Sequence, residues 1–386
     1  MISVEEALEQ VLSRIGRVGE ERVGLMDSLH RVLAERVVAN RDLPPWPNSS
    51  MDGYALRSED VREAAATRPV RLRVAGRVPA GKMADRRLEP GEAYRIFTGA
   101  PLPDGADTVV PQEDVGLDGE DVLVPRSAPA GDYVRPRGED MRPGDVLLEP
   151  GRVIGAADIG ALATVGRHQV RVMRRPTVGI LSTGDEIVDL GGRIERGQIP
   201  NSNTYSLTAQ VLEAGAVPVN LGVARDRLED IQERLTWGLG CDLLVSSAGV
   251  SVGDHDFVKE ALARLGAEQH LWLVNMRPGK PITFASIPAS PPGKGTVPVF
   301  GLPGNPVSAM VTFELFVRPA LLRLGGHPRV TRPTVRARAI EDIPNPGRRR
   351  GYLRVTLARD GDGLAVVAGD TTIPAGGWVD VIVLRD

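Results

Sequence analysis

Strand-like and helix-like segments alternate from about residue 177 to 326, and this alternation constrains the fold more than any other feature. The segments TVGIL, VPVNLGV, DLLVSS and VPVFGL are short apolar runs, typical of buried strands. The segments TYSLTAQVLEAG, RLEDIQERLTWGL and HDFVKEALARLG carry apolar residues at helical spacing. The last strand leads into a long helix with Asn305 as its N-cap and Pro306 at its first position. We therefore expect a mostly parallel sheet with helices on both faces, a three-layer α/β domain over residues 177–327.

The rest of the chain divides into three further regions. Ser3 and Glu6 form a capping box that opens an amphipathic helix, and VIGAADIGALATV resembles a short helix, so we predict a split helical domain over residues 1–41 and 153–176. Residues 42–152 hold short apolar alternations separated by Gly, Pro and Asp, which predicts a β-rich insertion module. Short strands over residues 328–386 predict a small, barrel-like C-terminal β domain. The predicted class is multidomain α/β plus β.

Charge and cysteine usage exclude several functions. The chain has 47 Lys and Arg against 50 Asp and Glu, a net charge of −3, which gives no broad basic surface for nucleic acid or anionic membrane. One cysteine, Cys241, and five scattered histidines provide no disulfide framework and no thiolate or histidine metal site. No apolar run approaches the length of a membrane span, and the N-terminus lacks the pattern of a signal peptide. We expect a cytoplasmic protein without nucleic-acid or membrane partners.

Chemistry-bearing residues follow the predicted strands at their carboxyl ends, where open α/β sheets bind ligands. The four loops are STGDE, ARD, AGVSVGDHD and GLPGNP. Their glycines allow close backbone approach, and the helix start after Asn305 favours an anion. The segment RPGKP adds the cations Arg277 and Lys280. Each motif alone also fits a plain turn or a surface lysine, but their joint occurrence favours a site.

Three carboxylates, Glu186, Asp226 and Asp256, lie on these neighbouring loops. They would repel an anionic ligand unless a cation bridges them, and oxygen ligands favour a hard cation such as Mg²⁺. Asp226 and Asp256 each precede a helical run, so each alone also fits a helix N-cap.

The segment PPWPNSSMDGYA over residues 44–55 supports two interpretations. Proline and glycine are typical of a surface turn. A stiff lead-in that presents one carboxylate, Asp52, at a fixed point is the second interpretation.

The chain resembles the molybdopterin molybdenumtransferase family, which includes bacterial MoeA and the E domain of gephyrin. The resemblance runs from about residue 1 to 326 through PPWPNSSMDGYAL, RIFTGAPLPDGADTVVPQEDV, VRPRGEDMRPGD, STGDEI, GQIPNSNTYSL, SSAGVSVGDHDFVK, MRPGKPITF and GLPGNPVSAMVTFELFV. It implies a four-domain subunit whose α/β domain binds molybdopterin. It also implies insertion of molybdate into adenylylated molybdopterin, assisted by Mg²⁺, with release of AMP. It implies a homodimer with its active site between subunits, and transient contacts with the adenylylating enzyme and with molybdoenzyme-maturation proteins.

The resemblance assigns site residues by motif. The catalytic candidates are Asp52, Thr98, Asp140, Glu186, Asp226 and Asp256. Glu186, Asp226 and Asp256 are also the candidate Mg²⁺ ligands. The candidates for binding the molybdopterin substrate are Ser182, Thr183, Gly184, Asp185, Ser247, Gly249, Ser251, Gly253, Arg277, Lys280, Pro303, Gly304 and Asn305.

The chain departs from the family pattern at three places. Ala248 replaces the first glycine of a usual pair, which reduces backbone freedom. Leu273 stands where a cation is expected, so Arg348–Arg350 is a possible replacement source of positive charge. The tail carries GDTTIPAGGWVDVI in place of the usual serine-rich stretch.

These departures keep other functions open. The first alternative is a paralogue that binds molybdopterin or handles tungstate with reduced or no transferase activity. A non-enzymatic scaffold and an adenylyltransferase are the others. The retained carboxylates disfavour the scaffold, and the β module with Asp52 disfavours the adenylyltransferase.

Overall fold

The computed structural model describes residues 1–248, 257–289, 295–358 and 361–385. The chain forms two compact units. Unit 1 comprises Met1–Glu35, Pro150–Ile159 and His168–Asp386, and unit 2 comprises Arg36–Glu149 and Gly160–Arg167. No helix among the described residues is long and apolar enough to cross a membrane.

The helices begin where the sequence supplies caps. Ser3 accepts a hydrogen bond from the Glu6 amide and Glu6 bonds back to Ser3, which confirms the predicted capping box. Asn305 caps the late helix, with Pro306 at its first position, also as predicted. The α-helices are α1 Val4–Leu12, α2 Ala156–Thr164, α3 Ser202–Glu213, α4 Leu228–Gly238, α5 Phe257–Arg264, α6 Pro306–Thr312 and α7 Arg318–Leu324. Three 3₁₀ turns and one π-helical turn lie at Met26–Ser28, Ser58–Val61, Gln112–Asp114 and Phe313–Val317.

The strands are short in unit 2 and longer in unit 1. In chain order they are β1 Glu20–Gly24, β2 Val37–Val38, β3 Asn48–Ser49, β4 Gly53–Leu56, β5 Val70–Val78, β6 Glu92–Ile96, β7 Thr108–Pro111, β8 Gly116–Asp118, β9 Asp121–Val124, β10 Val134–Arg135, β11 Val146–Leu148, β12 Gln169–Met173, β13 Thr177–Thr183, β14 Ile187–Val188, β15 Ile199–Pro200, β16 Val217–Ala224, β17 Leu243–Ser247, β18 Glu268–Leu273, β19 Met276–Arg277, β20 Pro281–Pro288, β21 Thr296–Leu302, β22 Thr334–Arg338, β23 Ile343–Asn345, β24 Arg350–Leu357, β25 Gly361–Val367, β26 Thr371–Ile373 and β27 Trp378–Arg385.

Unit 2 contains a six-stranded sheet in the order β7-β4-β6-β5-β9-β8. Strand β4 lies between β6 and β7, and all four of its residues are buried. Its first residue, Gly53, faces the Val110 carbonyl so closely that a side chain there would collide with it. Because Asp52 directly precedes this central strand, the sheet fixes its backbone position.

The main sheet of unit 1 has the order β16-β13-β17-β21-β20-β18. The first four strands are parallel, and they are the four strands that the sequence predicts. Strands β20 and β18 extend the sheet in antiparallel pairing. The sequence patterns do not predict these two strands; β20 begins within MRPGKPITF, where Arg277 and Lys280 indicate a source of cations.

Neighbouring residues of the central strands pack into separate cores on the two faces of this sheet. Ile180 and Val245 join a core with α1, α3, α6 and α7. Leu181 and Leu244 join a second core with α4 and α5. The alternation of side chains along a strand thus explains why both faces are covered and why the strands are apolar throughout.

The C-terminal strands form a five-stranded sheet in the order β19-β24-β25-β27-β22. The sequence segments TVRARAI, YLRVTLA, GLAVVAG and DVIVLR are typical of short strands, and the structure confirms them as β22, β24, β25 and β27. Strand β19 pairs in parallel with β24, and strands β23 and β26 form a separate two-stranded ribbon. With β19 and β22 at its edges, the sheet is open among the described residues, whereas the sequence analysis expected a barrel-like form.

Candidate functional site

The carboxyl ends of β13, β16, β17 and β21 lie at one edge of the main sheet because these strands are parallel. Strand β13 ends in the buried residues Ser182 and Thr183. Gly184 follows with φ of +139°, a conformation that favours glycine. A Cβ on Gly184 would lie 2.9 Å from the carboxyl carbon of Glu186, so the Glu186 side chain packs over this glycine.

Two loops at this edge hold each other through reciprocal hydrogen bonds. The Asp185 amide donates to Asp226 Oδ2 at 3.4 Å, and the Asp226 amide donates to Asp185 Oδ1 at 3.3 Å. Arg225 also donates to the Asp185 carbonyl. The N-cap of α4 is Arg227, without a side-chain cap, so the N-cap interpretation of Asp226 is wrong. Asp226 and Glu186, two predicted metal ligands, therefore lie on adjoining loops as exposed carboxylates.

Ser182 belongs to a buried hydrogen-bond network at the start of α3. Its hydroxyl lies 3.1 Å from Asn201 Oδ1 and 2.8 Å from Thr204 Oγ1. Asn201 also accepts from the Thr204 amide as the N-cap of α3. Ser182 thus anchors the helix to the strand, which positions the residues that follow Asn201.

Asn203 joins three of these elements, and the sequence analysis did not single it out. Its amide nitrogen donates to Ser247 Oγ at 2.7 Å and to the Gly304 carbonyl at 2.8 Å. Its Oδ1 is buried and has no hydrogen-bond partner among the described residues. Asn203 therefore holds the ends of β17 and β21 against α3. The sequence predicts that the loops after these two strands belong to the site. Its signal in the sequence is the pair of asparagines that flanks the start of α3 in PNSN.

Ala248 adopts the left-handed conformation that the usual glycine would favour, with φ of +77°. Its amide donates to the Leu302 carbonyl at 3.0 Å, so this conformation is part of the strand-end structure. A Cβ on Gly304 would approach that of Ala248 to 3.2 Å, which makes Gly304 the close neighbour of Ala248. Pro303 is buried, and Asn305 accepts from the Ser308 amide at 3.2 Å.

The two predicted cations, Arg277 and Lys280, are exposed on either side of Pro278 and Gly279. Gly279 has φ of +95°, and a Cβ there would collide with the Thr312 side chain. This glycine fits the segment against α6.

The arginine run at 348–350 lies beside this segment because β19 pairs with β24. Arg349 donates to the Met276 carbonyl at 3.2 Å, and Arg350 pairs with Glu5. Within the part of the chain that the structure describes, Arg348 makes no side-chain hydrogen bond or ion pair and is exposed.

In unit 2, Asp52 and Thr98 lie in direct contact. Asp52 Oδ1 accepts from the Thr98 amide at 2.8 Å and from its hydroxyl at 2.7 Å. These bonds lower the pKa of Asp52, and the positive charge of Arg95 lowers it further. Arg95, which the sequence analysis missed, donates to the Gly53 carbonyl at 2.8 Å. Asp52 is therefore an anion at neutral pH and does not fit the role of a carboxylic acid that carries a proton.

Hydrogen bonds to neighbouring strands, and not the prolines alone, position Asp52. Residues Asn48 and Ser49 pair with β10, and the Ser50 amide donates to the Tyr133 carbonyl. The Asp52 carbonyl accepts from the Gln112 amide at 3.0 Å. Of the two interpretations of the proline-rich segment, the fixed presentation of a carboxylate is the one that agrees with this geometry.

Asp140 forms an ion pair with Arg135, in which one guanidinium nitrogen lies 2.7 Å from both carboxylate oxygens. Arg135 also pairs with Glu139, and these bonds raise the pKa of Arg135. The Asp140 side chain is exposed, and its charge is paired with that of Arg135.

The remaining predicted residues, Gly249, Ser251, Gly253 and Asp256, lie outside the described residues. Among the described residues, no three His, Cys, Asp or Glu side chains form a metal-binding group. The donors present at the sheet edge are carboxylate oxygens, the chemistry that suits a hard cation.

Two family models match this chain. Residues 2–166 match the MoeA N-terminal region (domain I and II), and residues 179–323 match the probable molybdopterin binding domain. The second match covers the sheet edge where Ser182, Asn203 and Ser247 meet. Fold and site therefore define a chain of the class that carries a molybdopterin-binding α/β domain.

Relatives and solved structures narrow this class to one family. The molybdopterin molybdenumtransferase of Nostoc sp. is 41% identical over 336 residues, which cover 86% of this chain and 76% of that protein. Molybdopterin molybdenumtransferase 1 of Mycobacterium tuberculosis is 36% identical over 381 residues, 94% of this chain and 87% of that protein. The molybdopterin biosynthesis MoeA protein of Pyrococcus horikoshii superposes with a TM-score of 0.84 at 32% identity over 100% of both chains. The chain belongs to the molybdopterin molybdenumtransferase family.

Proposed function

We propose that this chain transfers molybdenum to molybdopterin in molybdenum cofactor biosynthesis. The observation that supports it best is the sheet edge within the matched molybdopterin-binding domain. There Asn203 holds Ser247 and Gly304 together beside the carboxylates of Asp185, Glu186 and Asp226. Small polar groups and an accessible backbone suit a pterin phosphate. The exposed side chains of Arg277 and Lys280, just before β20, would supply positive charge.

The proposed reaction takes adenylylated molybdopterin and molybdate as substrates. Molybdenum becomes bound to the two dithiolene sulfurs, and their protons leave with one molybdate oxygen as water. Hydrolysis of the phosphoanhydride bond releases the adenylate as AMP and leaves the phosphate on molybdopterin. Thr98 keeps Asp52 ionised by donating two hydrogen bonds to one oxygen, so Oδ2 of Asp52 stays available to accept a hydrogen bond from a substrate. Since the Thr98 hydroxyl donates to Asp52, it would donate to a molybdate oxygen only after it rotates away from Asp52.

The proposal includes Mg²⁺ at the sheet edge. Glu186 and Asp226 would hold it from adjoining loops, and Asp256 is the third candidate ligand. Bound there, the cation would neutralise phosphate charge and make AMP a better leaving group. Asp185 and Arg225 would keep the Asp226 loop in place through the bonds described above.

The proposal also retains the finer predictions of the sequence. These are the four-domain division at residues 1–41 with 153–176, 42–152, 177–327 and 328–386, and a homodimer in which Asp52 and Glu186 of one active site come from different subunits. Transient contacts with the adenylylating enzyme and with maturation proteins belong to the same set. A cytoplasmic location agrees with a single cysteine in 386 residues.

The first test measures AMP release from adenylylated molybdopterin with molybdate and Mg²⁺. We expect release by the native protein and a loss of at least about 100-fold in Asp52→Ala, since an ionised group at the reacting centre is removed. Glu120→Gln, at an exposed carboxylate of the same unit, is the matched control and should retain full activity. Excess chelator should abolish release if the Mg²⁺ proposal is correct. Full activity of Asp52→Ala contradicts the proposed role of Asp52.

A second candidate function is a paralogue that binds molybdopterin or handles tungstate with little or no transfer. Two observations favour it: the strained left-handed Ala248 at the site, and Leu273 in place of a cation. Tight binding of molybdopterin without AMP release by the native protein would support this candidate. Release with tungstate but not with molybdate would assign the metal.

A further inference from the structure

A cavity of about 310 Å³ lies within unit 1 at the amino ends of β13 and β16. Pro176 precedes β13 and Gly215 precedes β16, and both line the cavity. The sheet edge described above is at the opposite, carboxyl ends of the same strands. The cavity is therefore separate from the proposed molybdopterin site.

Positive charge dominates the wall of this cavity. One carboxylate, Glu213, faces two histidines and five arginines: Arg31, Arg174, Arg175, Arg318 and Arg329. Arg174 is bound by Asp242 through two hydrogen bonds, of 2.8 and 2.7 Å, and thus has a structural partner. Exposed Arg175 and Arg329 make no side-chain hydrogen bond or ion pair within the described ranges. Their guanidinium groups are available to a ligand.

Buried Arg31 and half-buried Arg318 each have one guanidinium nitrogen without a hydrogen bond among the described residues. Arg31, with 9% of its side chain exposed, donates to the Met173 carbonyl and pairs with Glu21, but its Nε is buried without a partner among the described residues. The Nε of Arg318 is likewise without a hydrogen bond. The Glu314 carboxylate oxygen Oε2 lies 3.9 Å from this nitrogen, beyond hydrogen-bond distance. Buried donors of this kind are unfavourable unless a ligand or water satisfies them.

Positive charges on the wall and beside it repel one another, although Glu314 and Glu213 oppose this effect at Arg318. Burial lowers the pKa of Arg318, and the nearby Arg332 lowers it further. Burial and the charge of Arg318 lower the pKa of His327. The Glu314 carboxylate, which lies near Arg318, already accepts hydrogen bonds from Arg332 at 3.0 Å and from Gln210 at 3.1 Å. An anion in the cavity would relieve this repulsion.

We propose that this cavity binds a small phosphate-bearing anion, independently of the transferase site. Guanidinium groups match phosphate oxygens in a bidentate geometry, and Arg175 and Arg329 on the wall have no carboxylate partner among the described residues. A volume of about 310 Å³ is sufficient for inorganic phosphate or a small phosphorylated molecule. Because α3 and α7 both contribute to the wall and also pack on the main sheet, occupancy would stabilise unit 1.

The test uses the full-length protein and three probes: inorganic phosphate, pyrophosphate and AMP, each compared with sodium chloride at equal ionic strength. Binding is measured by calorimetry and by the thermal unfolding midpoint. The variant is Arg175→Gln with Arg329→Gln, since both side chains are exposed and their loss should leave the fold intact. Arg323→Gln, an exposed arginine of α7 that does not line the cavity, is the matched control. Arg277→Gln with Lys280→Gln tests the sheet edge.

We expect at least one probe to bind the native protein, the Arg323 control and the Arg277/Lys280 variant alike, and to bind the Arg175/Arg329 variant about ten-fold more weakly or worse. Preference for AMP over phosphate would identify an organic phosphate as the ligand, and the reverse would identify the free ion. The proposal is wrong if no probe binds more than chloride does. It is also wrong if the Arg277/Lys280 variant alone loses binding, or if the Arg175/Arg329 variant changes only self-association, which would make the cavity a contact between copies.

Discussion

At the residue scale, Ala248 replaces a usual glycine at a position where the backbone has a positive φ. Ala248 has φ of +77° between buried Ser247 and a hydrogen bond to the Leu302 carbonyl. An L-residue in this region is strained by contact between its Cβ and backbone, by about 1 kcal/mol or more. The strand register holds Ala248 there because its amide completes the pairing between the ends of β17 and β21. The strain is therefore located at the site itself.

Ala248→Gly should stabilise the folded protein by about 1 kcal/mol, because glycine adopts positive φ without this strain. The measurement is the free energy of unfolding, followed by calorimetry or denaturant. Ala163→Gly is the control, at an exposed position in α2, where glycine should instead destabilise by up to about 1 kcal/mol. If both variants lose stability equally, the conformation of Ala248 is not strained.

At the element scale, polar side chains join segments of the chain that form separate strands, helices and loops. Asn203 at the start of α3 donates to groups that follow β17 and β21. In unit 2, buried Glu92 on β6 joins Arg73 of β5 and Arg86 of the preceding loop. Each of these residues links segments distant in the sequence, so its loss should affect the arrangement of elements more than their formation.

Asn203→Ala should lower the stability of the protein by about 1–3 kcal/mol, because two hydrogen bonds are lost and the Gly304 carbonyl and Ser247 hydroxyl lose their donor. It should also weaken molybdopterin binding, since the loops after β17 and β21 lose their common support. Unfolding and fluorescence titration with molybdopterin measure the two effects. Ser202→Ala, an exposed neighbour, is the control. Unchanged binding in Asn203→Ala would show that the loops are held by other contacts.

Glu92 should make unit 2 sensitive to acid. Hydrogen bonds from Arg86 lower the pKa of Glu92 to about 2, although burial opposes this shift. A lowered pKa means that the ion pairs stabilise the fold fully above about pH 4.5, the ordinary value, and lose this effect as the pH falls toward 2.

Glu92→Gln should therefore destabilise the protein strongly at pH 7, and the difference from the native protein should shrink between pH 4.5 and pH 2. Unfolding measured across this pH range tests it. Exposed Glu89→Gln should show little difference at any pH. A destabilisation that is constant from pH 7 to pH 2 would assign the effect to packing and not to charge.

At the scale of the whole molecule, each of the two units carries a different part of the predicted catalytic set. Asp52, Thr98 and Asp140 lie in unit 2, and Glu186 and Asp226 lie in unit 1. The proposed dimer assigns the two parts of one active site to different subunits. In this arrangement, two subunits with different inactivating substitutions would together form one intact active site.

Asp52→Ala and Glu186→Ala subunits, each inactive alone, should regain activity when co-expressed with different tags. A mixed dimer would contain one intact site and one doubly defective site, so an equal mixture should recover about a quarter of native AMP release. Sedimentation should show a dimer at micromolar concentration. Two Asp52→Ala subunits with different tags are the control and should stay inactive. A stable monomer, or no recovery in the mixed dimer, would contradict the proposed arrangement of subunits.

Short-range patterns in the sequence determined much of this protein. The strands TVGIL, VPVNLGV, DLLVSS and VPVFGL, the caps at Ser3 and Asn305, and the residue types at the strand ends follow from local periodicity and hydrogen-bonding chemistry, which act within a few residues. The motifs that carry the family resemblance are local in the same sense.

Only the tertiary structure decided which distant groups meet. The Arg95 charge beside Asp52, the link from Asn203 to Ser247 and Gly304, and the antiparallel strands β18 and β20 depend on pairing between separate segments. The cationic cavity is assembled from residues 29–32, 173–176, 213–215 and 318–329, none of which is unusual alone. Such contacts depend on how the elements pack, and packing depends on the whole chain at once. No local sequence pattern therefore predicts them.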